Sequence, residues 1–370
     1  MIINGVAIDD TFAEAFGMRG IRLIITAYNE TWALHSANAL TGFATSVIAC
    51  GAEAGIERMM SPDETPDGRP GVSVLLFAVS SKELIKQIER RVCQCVLTSP
   101  TSAIFAGLDE GDPVPLGKTL RYFGDGFQTS KQIGGKRYWR VPVMDGEVLV
   151  QDTARMVKAV GGGNFLVLAD TQVQALEACE AAIREMRKLP EVVMPFPGGV
   201  VRSGSKVGSK YKALSASTND AFCPTLRGAT KSELDERIGA VLELVIDGLT
   251  DASVKQAMEV GMRAVCRIGA AGGIRRGPRT GGRRRGDHHS MPRRHPAGRP
   301  ALRVPLGAQL AGGRHGVAPR DRRPGLPALG RLGQHIAKVQ HTRVRPGQVG
   351  ELRQARGWLA HFAISCTLGQ

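Results

Sequence analysis

Apolar residues in the first 267 positions gather in short blocks separated by polar stretches. Residues 21–27 (IRLIITA), 45–50 (TSVIAC) and 71–79 (GVSVLLFAV) are rich in Val, Ile and Leu and border turn residues, as buried strands do. Residues 28–40 and 81–96 predict helices: in the second, Leu84, Ile85, Ile88 and Val92 recur at i, i+1, i+4 and i+8, one apolar face. The order strand, helix, strand, strand, helix then returns at 164–169, 171–188, 199–203, 240–247 and 251–267. With a closing strand, this is the split βαβ, ferredoxin-like unit. The pattern therefore predicts an α+β chain of two ferredoxin-like α/β sandwich lobes, 1–146 and 147–267.

The two halves also resemble each other. GVAIDDTFAEAF…LIITA from Gly5 answers GEVLVQDTARMV…FLVLA from Gly146, with Thr11 and Thr153, and Ala27 and Ala169, both 142 apart. Ala33, Leu34, Ala37 and Ala39 meet Ala175, Leu176, Cys179 and Ala181 at the same offset. VIACGAEAG from Val47 then faces VVRSGSKVG from Val200, 153 apart, so the second half carries an insertion. This alignment sets Glu53 opposite Lys206. An unduplicated α/β sandwich would give the same block order, and the pattern leaves that alternative open.

Residues 195–225, PFPGGVVRSGSKVGSKYKALSASTNDAFCPT, fit neither a helix nor a core. Glycines let the backbone approach a ligand, and free N–H groups beside Lys206, Lys210 and Lys212 form a cradle for an anion. A long surface loop has the same composition.

PFPGG, SKVGSKY and STNDAFCPT resemble, in that order, the formylmethanofuran–tetrahydromethanopterin formyltransferases. NGVAIDDTFAEAF, TGFATSVIACGAEAGI, ETPDGRPGV, FGDGFQ and GGGNF carry the same resemblance, collinear from Met1 to about Arg267. The resemblance implies transfer of a formyl group between the amine of methanofuran and N5 of tetrahydromethanopterin, in formaldehyde oxidation or carbon dioxide reduction. Both coenzymes act as co-substrates, with no tightly bound cofactor and no metal. It further implies a two-lobed subunit in a homo-oligomer, commonly a tetramer, or a subunit of a larger formyltransferase/hydrolase complex.

Formyl transfer needs an attacking nitrogen held near the formamide carbon, a stabilised oxyanion, and a proton for the leaving nitrogen. A carboxylic acid in an apolar cleft can supply the last two. Glu243 lies inside AVLELVIDGL among Leu242, Leu244 and Val245, where a carboxylate is out of place unless it is used or faces water on an alternating strand. The resemblance favours use, because the family's proposed catalytic glutamate falls on Glu243. It also implies anionic groups on both coenzymes, which Arg202, Lys206 and Lys210 would meet, with Ser205 in the same loop. Asn219 and Asp220 are candidates for hydrogen bonds to a pterin ring or for a turn. Phe123 and Asp125 in FGDG read as a second wall of the cleft or as a turn between strands.

The formal net charge of +15 is confined to one end. Residues 1–267 hold 29 Lys and Arg against 31 Asp and Glu; residues 268–370 hold 20 against 3. Seven of the eight histidines are also in this tail, leaving His35, so a histidine metal site in the body is not expected. Cys93 and Cys95 have no second cluster at zinc spacing, and seven cysteines without a framework suit a reducing compartment. Lacking a signal-peptide pattern or an apolar run near the ~18 residues of a membrane span, the chain is expected in the cytoplasm, away from membranes.

In the tail, 19 Gly, 9 Pro and 19 Arg show no periodicity. A basic arm for nucleic acid is one reading. The other, preferred because the resemblance stops there, is translation of a GC-rich gene in a shifted frame. The second lobe would then lack its last strand, and the chain would be poorly soluble or inactive. A pterin-binding scaffold subunit without catalysis is the alternative function for the body.

Overall fold

The computed structural model of the protein describes residues 2–9, 15–214 and 216–279. Thr11 and the Arg-rich segment from 280 onward, with its frame-shift and nucleic-acid readings, lie outside the described residues. In the first lobe, β1 (Phe16–Thr26) leads into α1 (Glu30–Thr41). They are followed by β2 (Glu53–Met60), β3 (Gly71–Ala78), α2 (Ser81–Arg91) and β4 (Ala103–Ala106). The strands pair antiparallel in the order β4-β1-β3-β2.

The second lobe repeats this plan with β5 (Thr153–Ala169), α3 (Gln172–Met186), β6 (Val200–Val201), β7 (Ala240–Gly248), α4 (Asp251–Ile268) and β8 (Ile274–Arg279). Its order, β8-β5-β7-β6, is the same as that of the first lobe. Equivalent helices start on equivalent caps, because a side-chain oxygen at the N-cap satisfies an otherwise orphaned backbone N–H. Asn29 and Thr171, 142 apart, cap α1 and α3; Ser80 and Thr250, 170 apart, cap α2 and α4. Order and caps together carry the duplication that the sequence suggested.

Two expectations are corrected. Residues 45–50 are not the second strand: Val47–Cys50 is a helical turn, opened by the Ser46 side chain and closed by Gly51 at φ 74°. The strand is Glu53–Met60, so VIACGAEAG and VVRSGSKVG are not counterparts. Glu53 pairs with Phe77, and 170 positions on from Phe77, Asp247 pairs with Val193; Glu53 therefore corresponds to Val193, not to Lys206. The second correction is that the last strand of the second lobe is present. β8 adds to β5 through Ile274↔Ala169, Arg276↔Leu168 and Arg279↔Leu166. The N-terminus also joins this lobe rather than the first: Ala7 pairs with Arg276, Val6 enters its core, and the Asn4 amide donates to the Cys266 and Arg267 carbonyls at the end of α4.

A single strand ties the lobes together. Residues 156–161 of β5 pair with 21–16 of β1, while its later residues pair with β7 and β8. The handover falls on Gly161–Gly162–Gly163, where the register shifts and Gly162 adopts φ 82°. A Cβ on Gly161 would lie 2.2 Å from Met18 Sδ, and one on Gly163 2.4 Å from Val254 Cγ1, so the motif GGGNF is a crossing point that side chains would block. Each lobe packs its helices on one sheet face around its own core, and Met18, Val47, Phe77, Val193 and Leu249 pack together where the lobes meet. No described helix is long and apolar enough to cross a membrane.

Candidate active site

Alternation along β7 separates two faces. Leu244 and Ile246 face the helices in the second core, while Val241 belongs to a small cluster on the other face with Leu166, Leu168, Leu234 and Ile238. Glu243, two residues from Val241, is on this helix-free face, cross-strand from Leu166 of β5 and Val201 of β6. It is 7% exposed. Asn164 of β5, itself buried, donates through Nδ2 to Glu243 Oε1 at 2.7 Å. Burial raises the Glu243 carboxyl to about 7, with the Asn164 hydrogen bond opposing the rise. Near neutrality such a group holds its proton about half the time, the condition for a general acid.

The loop residues expected to bind substrate fall into two groups. Arg202 follows Val201, the cross-strand partner of Glu243, and is exposed. Beyond it, Lys206–Val207 and Ala216–Ser217 form a small hairpin. Lys206 Nζ contacts Asp220 Oδ1 at 2.7 Å, which holds the Asp220 carboxyl below the usual range. These two candidates thus bind each other. The Ser205 hydroxyl is buried without a hydrogen-bond partner among the described residues. A Cβ on Gly204 would lie 3.3 Å from Asn219 Cβ, so the two segments are adjacent, and Lys210 is exposed. Phe123 and Asp125 are elsewhere: they occupy an exposed turn of the first lobe, before the strands Thr129–Ile133 and Lys136–Val143 at the far end of the sheet. Within one subunit the fold does not bring them to Glu243.

Three buried groups escaped sequence reading. Asn164 is the first. The second is a carboxyl pair at the junction of the lobes, Glu53 with Asp247; burial raises both, and the charge of Glu53 raises Asp247 further. The third is in the first lobe, where Arg22 grips Glu57 through Nε at 2.7 Å and Nη2 at 2.6 Å, and Ser73 and the Glu191 N–H donate to the same carboxylate. Burial disfavours ionised Glu57, but these donors outweigh it and hold the carboxyl below its ordinary value. The 142-residue offset sets Arg22 opposite Asn164, and Asn164 also lies in the GGGNF string; Glu53, Glu57 and Asp247 carried no such signal. Among the described residues, no three His, Cys, Asp or Glu side chains cluster as metal ligands would.

Two family models match the chain. The formylmethanofuran–tetrahydromethanopterin formyltransferase model covers residues 1–143, and the proximal-lobe model of the same family covers 146–283. The chain belongs to this formyltransferase family. The second match runs past residue 267, where the resemblance was expected to stop, and takes in β8. A formyltransferase of this name from Methylococcus capsulatus is 70% identical over 276 residues, 75% of this chain and 93% of its own length. A component of the formyltransferase/hydrolase complex of Methylorubrum extorquens is 50% identical, over 74% of this chain and 89% of its own length. A crystal structure of the Methylorubrum complex with methylofuran matches with a TM-score of 0.75 and 48% identity, covering 78% of this chain and 95% of that one. The Methanosarcina barkeri formyltransferase matches with 0.71 and 44%, covering 75% and 93%.

Proposed function

We propose that the protein moves a formyl group between the amine of a methanofuran-type coenzyme and N5 of tetrahydromethanopterin, with Glu243 as the general acid. The pterin N5 attacks the formamide carbon, and the carbonyl oxygen takes up the electron pair of the C=O bond. Protonated Glu243 delivers its proton to the furan coenzyme's nitrogen as the C–N bond breaks. N5 sheds its own proton as the new formamide forms, and that proton restores Glu243. Protons therefore balance over one turnover, and the reverse reaction uses the same groups in reverse order.

The observation that carries this reading is a carboxyl held about half protonated near neutrality on a strand of a formyltransferase-family chain. Arg202 and Lys210 are unpaired among the ion pairs of the described residues and suit the anionic groups of the two coenzymes, while Lys206 needs Asp220 displaced first. Assembly as a homotetramer, or with other subunits as in the Methylorubrum relative, and a cytoplasmic location belong to the same proposal. Glu243→Gln should lower kcat by roughly 100- to 10,000-fold, the range for loss of general acid catalysis, with an unchanged fold by circular dichroism. Near-normal turnover of E243Q across pH would sink the assignment.

A further inference from the structure

Duplication supplies an internal reference for the site. β1 and β5 align at the 142-residue offset, and in each lobe the strand pairs with the third strand of its own unit: Ile24↔Ser73 in the first, Leu166↔Glu243 in the second. Two residues before Ile24 stands Arg22, and two before Leu166 stands Asn164, on the same face of the strand. Both reach a carboxylate on the helix-free face of their lobe, Arg22 to Glu57 and Asn164 to Glu243. The equivalent of Glu243 itself is Ser73, which donates to Glu57. One position in the repeat thus addresses a buried carboxyl in both lobes, with a cation in one and a neutral amide in the other.

An amide donor differs from a guanidinium in two ways. It supplies no charge to fix the carboxyl in its ionised form, and it binds one oxygen, not two. Oε1 of Glu243 accepts from Asn164, so the acid's proton belongs on the oxygen that the amide leaves free. Rotation of the carboxyl is also stopped, because turning it over would set an O–H against the amide N–H. We propose that Asn164 is a positioning residue for formyl transfer: by holding Oε1 as an acceptor, it assigns the transferable proton to Oε2 of Glu243. This rests on Glu243 being the acid, and the experiment separates the two ideas.

Asn164→Ala and Glu243→Gln are prepared in the full chain, and kcat is followed against pH together with infrared difference spectra. The amide is the only hydrogen bond to the carboxyl among those described, and it opposes the effect of burial. Its removal should move the alkaline limb of the kcat profile to higher pH. Turnover at the plateau should fall roughly 10- to 100-fold, as expected when a reacting group loses its fixed orientation. The protonated carboxyl C=O stretch, isolated as the spectrum that disappears in E243Q, should move to higher wavenumber in N164A as the donor to Oε1 is lost. If E243Q is inactive while N164A keeps the wild-type limb and carbonyl frequency, Asn164 merely fills space and the positioning role is overturned. If E243Q turns over normally, the acid assignment has failed instead. A folding defect in N164A alone is handled by Asn164→Ser, whose shorter hydroxyl should give an upward frequency shift of the same sign.

Discussion

The two lobes share a fold and treat a buried carboxyl in opposite ways. In the first, Glu57 is saturated by the Arg22 guanidinium, the Ser73 hydroxyl and the Glu191 N–H, and is held as an anion. In the second, Glu243 has a single neutral donor and is raised to about 7. The same strand geometry thus gives an ion pair on one side and a carboxyl that keeps its proton toward neutrality on the other. The difference turns on the donors: Glu57 receives hydrogen bonds from Arg22, Ser73 and the Glu191 N–H with the Arg22 charge added, while Glu243 receives the Asn164 amide alone among the described hydrogen bonds. Because the Glu191 N–H comes from the second lobe, the inert carboxylate also stitches the halves together.

Removing the cation tests the first half of this contrast and has the largest expected effect. Arg22→Met strands Glu57, whose side chain is 3% exposed, without its counter-charge. Breaking a buried pair from one side costs about 3–5 kcal/mol, so urea unfolding should show a loss of that size. A loss under about 1 kcal/mol would mean that Glu57 is not held in the way its contacts indicate.

Next is the dependence of stability on pH. Glu243 titrates at about 7 in the folded chain against an ordinary 4.5, so between these values the folded state binds more protons. Its contribution is fully present below about pH 4.5 and is lost as pH rises through 7, amounting to roughly 3 kcal/mol by the alkaline end. Glu53 and Asp247, both raised, add to the same slope. Glu57 is lowered, so its contribution is present above the ordinary carboxylate value and is lost on acidification. Glu57 is thereby the acid-sensitive carboxyl of the contrast and Glu243 the alkali-sensitive one. Unfolding free energies at pH 6 and pH 9 should converge in E243Q relative to wild type; parallel slopes would remove this distinction.

The smallest effect belongs to the loop. Asp220→Asn breaks the partly exposed contact with Lys206 and should change stability by less than about 1 kcal/mol. If Lys206 meets an anionic coenzyme, its release should tighten KM; a weaker KM would make the pair itself part of the binding surface.

Much of the architecture was legible because helices and central strands announce themselves locally. Ser81–Arg91 shows its apolar face in the sequence, β3 is buried throughout and β1 along most of its length. The second strand was misplaced because VIAC has the β-branched look of a strand, while EAGIERMM does not. Ser46 and Gly51 turn the first into a helical turn, and the second becomes a strand through its ladder with β3, which no local preference encodes. β8 was missed for a related reason: IRRGPR contains a proline and three arginines, yet pairing with β5 makes it a strand. Glu243 stood out as a lone acid in an apolar run. Asn164 and Arg22 did not, since their partners lie 79 and 35 residues away and polar residues on strands are common.

The strand β5 has a further consequence for how this molecule can be taken apart. Although the chain looks like two copies of one ancestral module, neither copy owns that seventeen-residue ribbon. Expressing residues up to the seam alone would strip the first half of β1 of its neighbour and open a raw edge to aggregation, and the remaining piece would carry a dangling extension with nothing to bind. The doubled plan yields a chain whose two halves can be recognised but not separated.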